Sequence, residues 1–173
     1  KGDLHCGVFY LSDHMDIQFI ADRNLGTLSK WLRILGYDTL YERGNTDLDF
    51  LRKAAEEGRV ALTRKRAIAR RPHMVRLVVV KADHARDQLN EVLEALTIIP
   101  DPVKRMTLCL RCNAPLEAIP KETVEGLVPA YVYRKYRQFR RCPLCGRIFW
   151  PGTHSEHVEE RLRAQFPCPT LSF

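Results

Sequence analysis

Long apolar runs are missing from this sequence. The best is LVVV at 77–80, a strand-sized segment far short of the roughly 18 residues that signal a membrane helix, so no membrane span is expected. Glycine (9 residues) and proline (10) are too few, and a 45% hydrophobic fraction is too large, for a collagen-like or wholly disordered chain. There is no GxGxxG and no GxxxxGK followed by Ser or Thr, which excludes a dinucleotide fingerprint and a phosphate-cradling P-loop. No arrangement of His with Ser or Cys marks a nucleophilic triad, and His5, His14, His73 and His84 share no metal-ligand spacing. Internal repeats and low-complexity tracts are absent too. The opening KGDLHC has neither an initiator Met nor a basic-then-apolar leader, so an excised fragment with missing N-terminal context is expected.

Acidic residues are locally absent, and this is more telling. Residues 59–76 contain six Arg and one Lys with no acid, and residues 134–147 contain five Arg and one Lys with no acid. The formal charge of +7 is therefore concentrated, a pattern that favours a polyanionic partner such as nucleic acid.

What is present falls into two parts. The IIPDPVK segment at 98–104 ends the last helical pattern with two prolines, and four of the six cysteines follow it. Before it, IQFIA (17–21), YDTLY (37–41), VALT (60–63) and LVVV (77–80) read as strands. They alternate with helical spacings: Leu25, Leu28, Trp31, Leu32 and Leu35, with Asn24 at the N-cap and Gly36 as the stop; Leu48, Leu51, Ala54 and Ala55, opened by Thr46 with Asp49 and closed by Gly58; and Leu89, Val92, Leu93 and Leu96. Such alternation implies a parallel sheet covered on both faces, a three-layer α/β domain.

Working groups in such sheets collect beyond the carboxyl ends of the strands. Asp22, Thr63 with Arg64 and Lys65, and Asp83 fall there, and Asp47 and Asp49 at the start of the second helix reach the same edge. A ring of carboxylates can hold Mg(II) or Mn(II) against a phosphodiester, because these hard ions take oxygen ligands. Asp47, Asp49 and Asp83 serve equally well as helix caps, whereas Asp22, directly after an apolar strand, points more to a site.

The strongest local signal is CLRC at 109–112 with CPLCG at 142–146. Two CxxC turns bring Cys109, Cys112, Cys142 and Cys145 to one tetrahedral ion, and four protein ligands leave no open position, so a structural Zn(II) in a zinc ribbon is expected. Two disulfides are the alternative, but Cys6 and Cys168 are isolated and nothing suggests secretion; reduced cysteines in an intracellular protein, of cytoplasm or nucleus, fit better. His154 is a substitute ligand in a weaker reading. Four thiolates and one Zn(II) contribute minus two, reducing the formal +7 to about +5. Within RKYRQFRR (134–141), two readings stand. Tyr136 and Phe139 stack bases while Arg134, Lys135, Arg137, Arg140 and Arg141 meet phosphates, or a strand alternates its rings inward and its arginines outward.

With these segments in place, the sequence resembles the C-terminal domain of the Mut-seven class of exoribonucleases, also found as stand-alone prokaryotic proteins. The resemblance rests on FIADRNLGTLSKWLRILGYDTLY (19–41), ALTRKR (61–66), CLRCNAPL (109–116) and FRRCPLCGRIFWPGTH (139–154). It implies a PIN-like ribonuclease fold with a mostly parallel sheet, at 17–100, followed by a small zinc ribbon at 101–160, between an N-terminal extension (1–16) and a C-terminal tail (161–173). It also implies strand-end acids for metal-dependent cleavage of RNA, with Asp22 as the first and Asp47 or Asp49 in the second region. This chain departs from the family's usual T-R-D-R by reading Thr63, Arg64, Lys65, Arg66, so an ammonium stands where a ligating carboxylate is expected. The expectation is an RNA-binding accessory domain of a 3′–5′ exoribonuclease with a degenerate PIN-like metal site. It would bind single-stranded RNA through Arg64, Lys65, Arg66, Arg70 and Arg71 together with the ribbon cations. Two alternatives stand beside it: a metal-dependent ribonuclease using Asp22, Asp49 and Asp83 with Mg(II) or Mn(II), and an interaction module in which the ribbon and Trp150 dock a protein partner.

Overall fold

The structure is a computed structural model that describes residues 17–44, 47–70 and 74–151. Thr46, Arg71 and His154 lie outside the described residues, as do the N-terminal extension and the C-terminal tail. The chain divides into two compact units between Arg105 and Met106.

The first unit is a PIN-like α/β core. Strands β1 (Phe19–Ala21), β2 (Thr39–Tyr41), β3 (Val60–Thr63) and β4 (Leu77–Val79) form one sheet in the order β2-β1-β3-β4. Every pairing is parallel, with Ile20 opposite Leu40 and Ala61, and Leu62 opposite Val78. Helices α1 (Gly26–Ile34), α2 (Asp47–Glu56), α3 (Arg66–Ala69) and α4 (Ala85–Ala95) supply the crossovers and the last layer. A parallel pair cannot close with a tight turn, so helix must follow strand, and the short apolar runs leave no other arrangement. β3 is buried along its whole length, whereas β4 at the sheet's edge is only half-buried.

Side chains alternate across the sheet. Ile20 and Ala61 pack on one face with Phe50, Leu51 and Ala54 of α2 and Ile68 of α3. Phe19, Ala21 and Leu62 take the opposite face, where α1 lies beside α4 and buries Leu28 and Leu32, while α4 buries Leu89, Val92 and Leu93. Each of these fully buried aliphatic side chains contributes about 1.5–3 kcal/mol of transfer free energy.

Asn24 does not cap α1. The N-cap position is Leu25, with no side-chain cap, and the backbone N–H of Asn24 is instead taken by Asp22 Oδ1 at 2.8 Å. A carboxylate two residues upstream reaches this donor in an Asx-type turn, so the acid at the strand end organises the turn into the helix. Gly36 ends α1 at φ 90° against the backbone of Lys104; a Cβ there would come within 2.2 Å of the Lys104 carbonyl oxygen, which leaves room for glycine alone.

The second unit holds a small antiparallel sheet, β5 (Glu117–Ile119), β6 (Phe139–Arg141) and β7 (Ile148–Phe149), in that order. Helix α5 (Ala130–Lys135) connects β5 to β6. Its buried core is four residues, Val124, Val128, Val132 and Phe139, with Ile119, Tyr133, Tyr136, Ile148 and Trp150 packed partly around them. A core of this size is too small to support an independent unit without a further cross-link.

Candidate functional site

At the carboxyl ends of β1, β2 and β3 lies a shallow depression lined by Asp22, Arg23, Glu42, Arg43, Asp47 and Lys65, with Phe50 and Ile68 at its floor. Asp22 is only 7% exposed, and both of its oxygens accept hydrogen bonds. Its Oδ2 accepts from Thr63 Oγ1 at 2.5 Å and from the backbone N–H of Arg64 at 3.2 Å, while Oδ1 holds Asn24. Thr63 Oγ1 in turn accepts the backbone N–H of Lys65 at 3.0 Å. The ends of β1 and β3 are thus tied by one carboxylate and one hydroxyl, and the buried carboxylate meets protein donors on both oxygens.

The Lys65 ammonium does not reach Asp22. It donates to Asp47 Oδ1 at 2.5 Å, across the depression from the start of α2. Glu42 receives the Lys53 ammonium at 2.5 Å. Of the acids singled out in the sequence, Asp22 and Asp47 come together here and two do not. Asp49 is not among the residues lining the depression and pairs with Arg52 at 2.8 Å, and Asp83, 82% exposed, pairs with the Arg64 guanidinium. Glu42 was legible by the same rule that marks Asp22, since it directly follows β2 as Asp22 follows β1. Among the described residues, these carboxylates form no group of three whose oxygens lie close enough to share one ion.

The acid-free stretch around α3 is therefore not acid-free in space, because Asp47 and Asp83 arrive from other elements to meet Lys65 and Arg64. Arg66 and Arg70 are exposed. In the second unit, residues 134–141 are not one strand: they run from the end of α5 through a turn into β6. Arg134, Lys135, Arg137, Arg140 and Arg141 are all exposed, with an Arg140 Nη1 bond to the Met106 carbonyl at 3.0 Å. Phe139 is 2% exposed and Tyr136 rests against the same core with the Lys135 ammonium 5.2 Å from its ring centre. Inward rings and outward cations are what the structure realises, so Phe139 offers no face to a base. Tyr131, unmarked in the sequence reading, is the exposed ring of α5.

The four cysteines meet. Their sulfurs all lie within 4.8 Å of one another, none is in a disulfide, and Cys109 Sγ is 3.8 Å from Cys145 Sγ. A tetrahedron of zinc–sulfur bonds of about 2.3 Å has sulfur–sulfur edges of roughly 3.8 Å, so the donor set fits a zinc-sized ion. The two knuckles share one backbone plan. Asn113 N–H bonds Cys109 O at 2.8 Å and Gly146 N–H bonds Cys142 O at 2.9 Å; Cys109 N–H bonds Ala114 O at 2.8 Å and Cys142 N–H bonds Arg147 O at 3.0 Å. Asn113 and Gly146 stand at φ 65° and 69°, the left-handed conformation that asparagine and glycine enter most readily.

The sulfurs are electrostatically graded. A backbone hydrogen bond from Arg147 holds the Cys145 thiol down at about 7, whereas Cys112, hydrogen-bonded to Cys145 and desolvated, is pushed up to about 12. Burial pushes Cys109 up as well. Four thiolates so close together repel strongly, and a divalent cation is what lets them all deprotonate. The cluster can coordinate a metal ion, and the chemistry of four thiolates selects zinc over hard ions.

Among the described residues no helix is long and apolar enough to cross a membrane. Neither a curated protein nor a solved structure gives a significant match to the chain. The family model for the Mut7-C RNAse domain matches residues 17–162, spanning both the strand-end depression and the cysteine cluster, and the chain belongs to that family.

Proposed function

We propose that this chain is an RNA-binding accessory domain of a 3′–5′ exoribonuclease, intracellular, with a PIN-like site that no longer recruits a divalent ion. The ion pair between Lys65 and Asp47 carries the reading. Magnesium or manganese would need several carboxylate oxygens facing one point, yet Asp47 is neutralised by an ammonium and both Asp22 oxygens accept protein donors. The donor set does not fit such an ion as it stands. The Cys109, Cys112, Cys142 and Cys145 site holds a structural Zn(II) that folds the ribbon.

RNA is met by cations on each unit: Arg64, Lys65, Arg66, Arg70 and Arg71 on the first, and Arg134, Lys135, Arg137, Arg140 and Arg141 on the second. Single strands suit a surface of arginines, because their phosphates are reached without duplex geometry. A protein-docking role for Trp150 has less support, since that ring packs against the ribbon core. The test is binding and cleavage of single-stranded RNA by the purified zinc-loaded protein, with and without added manganese. Binding that persists in a chelator of hard cations without cleavage supports the reading, and manganese-dependent cleavage lost on Asp22→Asn replaces it with an active ribonuclease.

A further inference from the structure

Helix α5 anchors itself through Val132, which is 1% exposed, and this fixes where its other side chains project. Tyr133 turns toward the core. The Lys121 ammonium sits 4.7 Å from its ring centre, and burial, then Glu125 and Glu122, push its phenol up.

Tyr131 is 65% exposed and projects about 200° away from Tyr133 around the helix. Arg134 and Lys135 follow it at the i+3 and i+4 positions, the two spacings that place side chains on one helical face. Both are exposed, and the cationic series continues through Arg137, Arg140 and Arg141. An uncovered aromatic ring with cations one turn away has the two elements by which single-stranded RNA is held, a π-face for a base and positive charge for the adjoining phosphates. A basic rim of this kind is complementary to a polyanion.

We propose that Tyr131 is a base-stacking platform for single-stranded RNA, with Arg134 and Lys135 holding the phosphates that flank the stacked base. This rests on the RNA-binding reading above and adds the ring that the cations alone do not provide. Tyr131→Phe keeps the π-face, Tyr131→Ala removes it, and neither empties a packed core because the ring is exposed.

The experiment measures affinity of the full zinc-loaded chain for a fluorescent single-stranded oligoribonucleotide and for the same backbone made abasic. Tyr131→Ala should weaken binding to the normal strand about tenfold while leaving the salt slope unchanged. Tyr131→Phe should bind as wild type does, and the abasic strand should bind wild type and Tyr131→Ala equally. Unchanged affinity in Tyr131→Ala, or an equal loss on the abasic strand, overturns the stacking assignment while RNA binding stands. No binding of either strand by wild type overturns the RNA-binding reading itself, and the stacking site falls with it.

Discussion

Lys65 donates to Asp47 across 2.5 Å at the strand ends of the first unit, and this contact sets a cation of the protein's own among Asp22, Glu42 and Asp47. Both partners are about one-third exposed, so solvent screening keeps the pair's contribution to stability small, on the order of 1 kcal/mol or less. Its weight lies in charge placement. An ammonium repels a divalent ion entering the depression and offers no lone pair in exchange.

The cysteine cluster makes the first prediction. One zinc per chain is expected, and Cys142→Ser should lower occupancy and loosen the second unit, whose four-residue core cannot hold alone. The first unit has its own buried core and should keep its amide protection. Elemental analysis with hydrogen exchange checks both, and zinc well below one per chain in intact protein contradicts the assignment.

RNA affinity should fall steeply with salt. Each phosphate contact on a single strand contributes about 0.7 to the logarithmic slope, so neutralising Arg134, Arg137, Arg140 and Arg141 should flatten it measurably. Neutralising Arg66 and Arg70 should flatten it too. Arg64 and Lys65 should matter less, because each already spends its charge on an acid, Asp83 or Asp47. Titrations across a salt series decide this, and slopes unaltered in both clusters would remove the cations from the interface.

How far the sequence could be read follows from the range of the interactions involved. The strand and helix alternation was legible because it depends on local hydrophobic spacing; VALT became β3 without adjustment, and Leu28 and Leu32 became the buried face of α1, with Leu25 and Leu35 buried at its two caps. The cysteines were legible because two CxxC turns carry their own geometry. Partner choice among charges was not, since Asp47 and Lys65 lie 18 positions apart and meet only when α2 closes over β3. The role of Asp22 in the turn into α1 is hidden for the same kind of reason, because the carboxylate that organises the turn sits at the strand end, upstream of the position a helix-cap pattern marks. Aromatic exposure depended on where α5 stops: of the two readings open for Phe139 the inward one is realised, and Tyr131, which carried no signal in the sequence, is exposed.

The matching knuckles give a prediction about metal affinity. Gly146 has open space around it, with Arg141 Nη2 3.9 Å from where a Cβ would sit, so Gly146→Ala should cost only the left-handed strain of about 1–2 kcal/mol. That corresponds to roughly tenfold or somewhat more in zinc affinity. Asn113→Gly should be neutral or better, while Asn113→Val should lose at least as much as Gly146→Ala, because a branched side chain fits this conformation poorly. Competition with a chromophoric chelator reads all three, and an Asn113→Val protein that binds zinc as wild type does would deny the shared plan.

Lys65→Asp tests the strand-end site most directly. The substitution removes the repelling ammonium and places a third carboxylate with Asp22 and Asp47, so without metal the folded protein should lose stability through like-charge repulsion. Manganese should restore it, giving a thermal shift in Lys65→Asp larger than in wild type, because an ion that binds only the folded state stabilises by mass action. RNA affinity should weaken, though only modestly, since the ammonium is already engaged by Asp47. Cleavage need not return in full: the Thr63 hydroxyl and the Arg64 amide already occupy Asp22 Oδ2, and a productive ion needs its ligands oriented as well as present. The decisive set is wild type, Lys65→Asp and Asp22→Asn, each assayed for manganese-dependent thermal shift and cleavage of single-stranded RNA. Wild-type protein that shifts with manganese as strongly as Lys65→Asp, and cleaves RNA until Asp22→Asn abolishes it, would mean that Lys65 leaves Asp47 to meet a phosphate and that the site is a working ribonuclease.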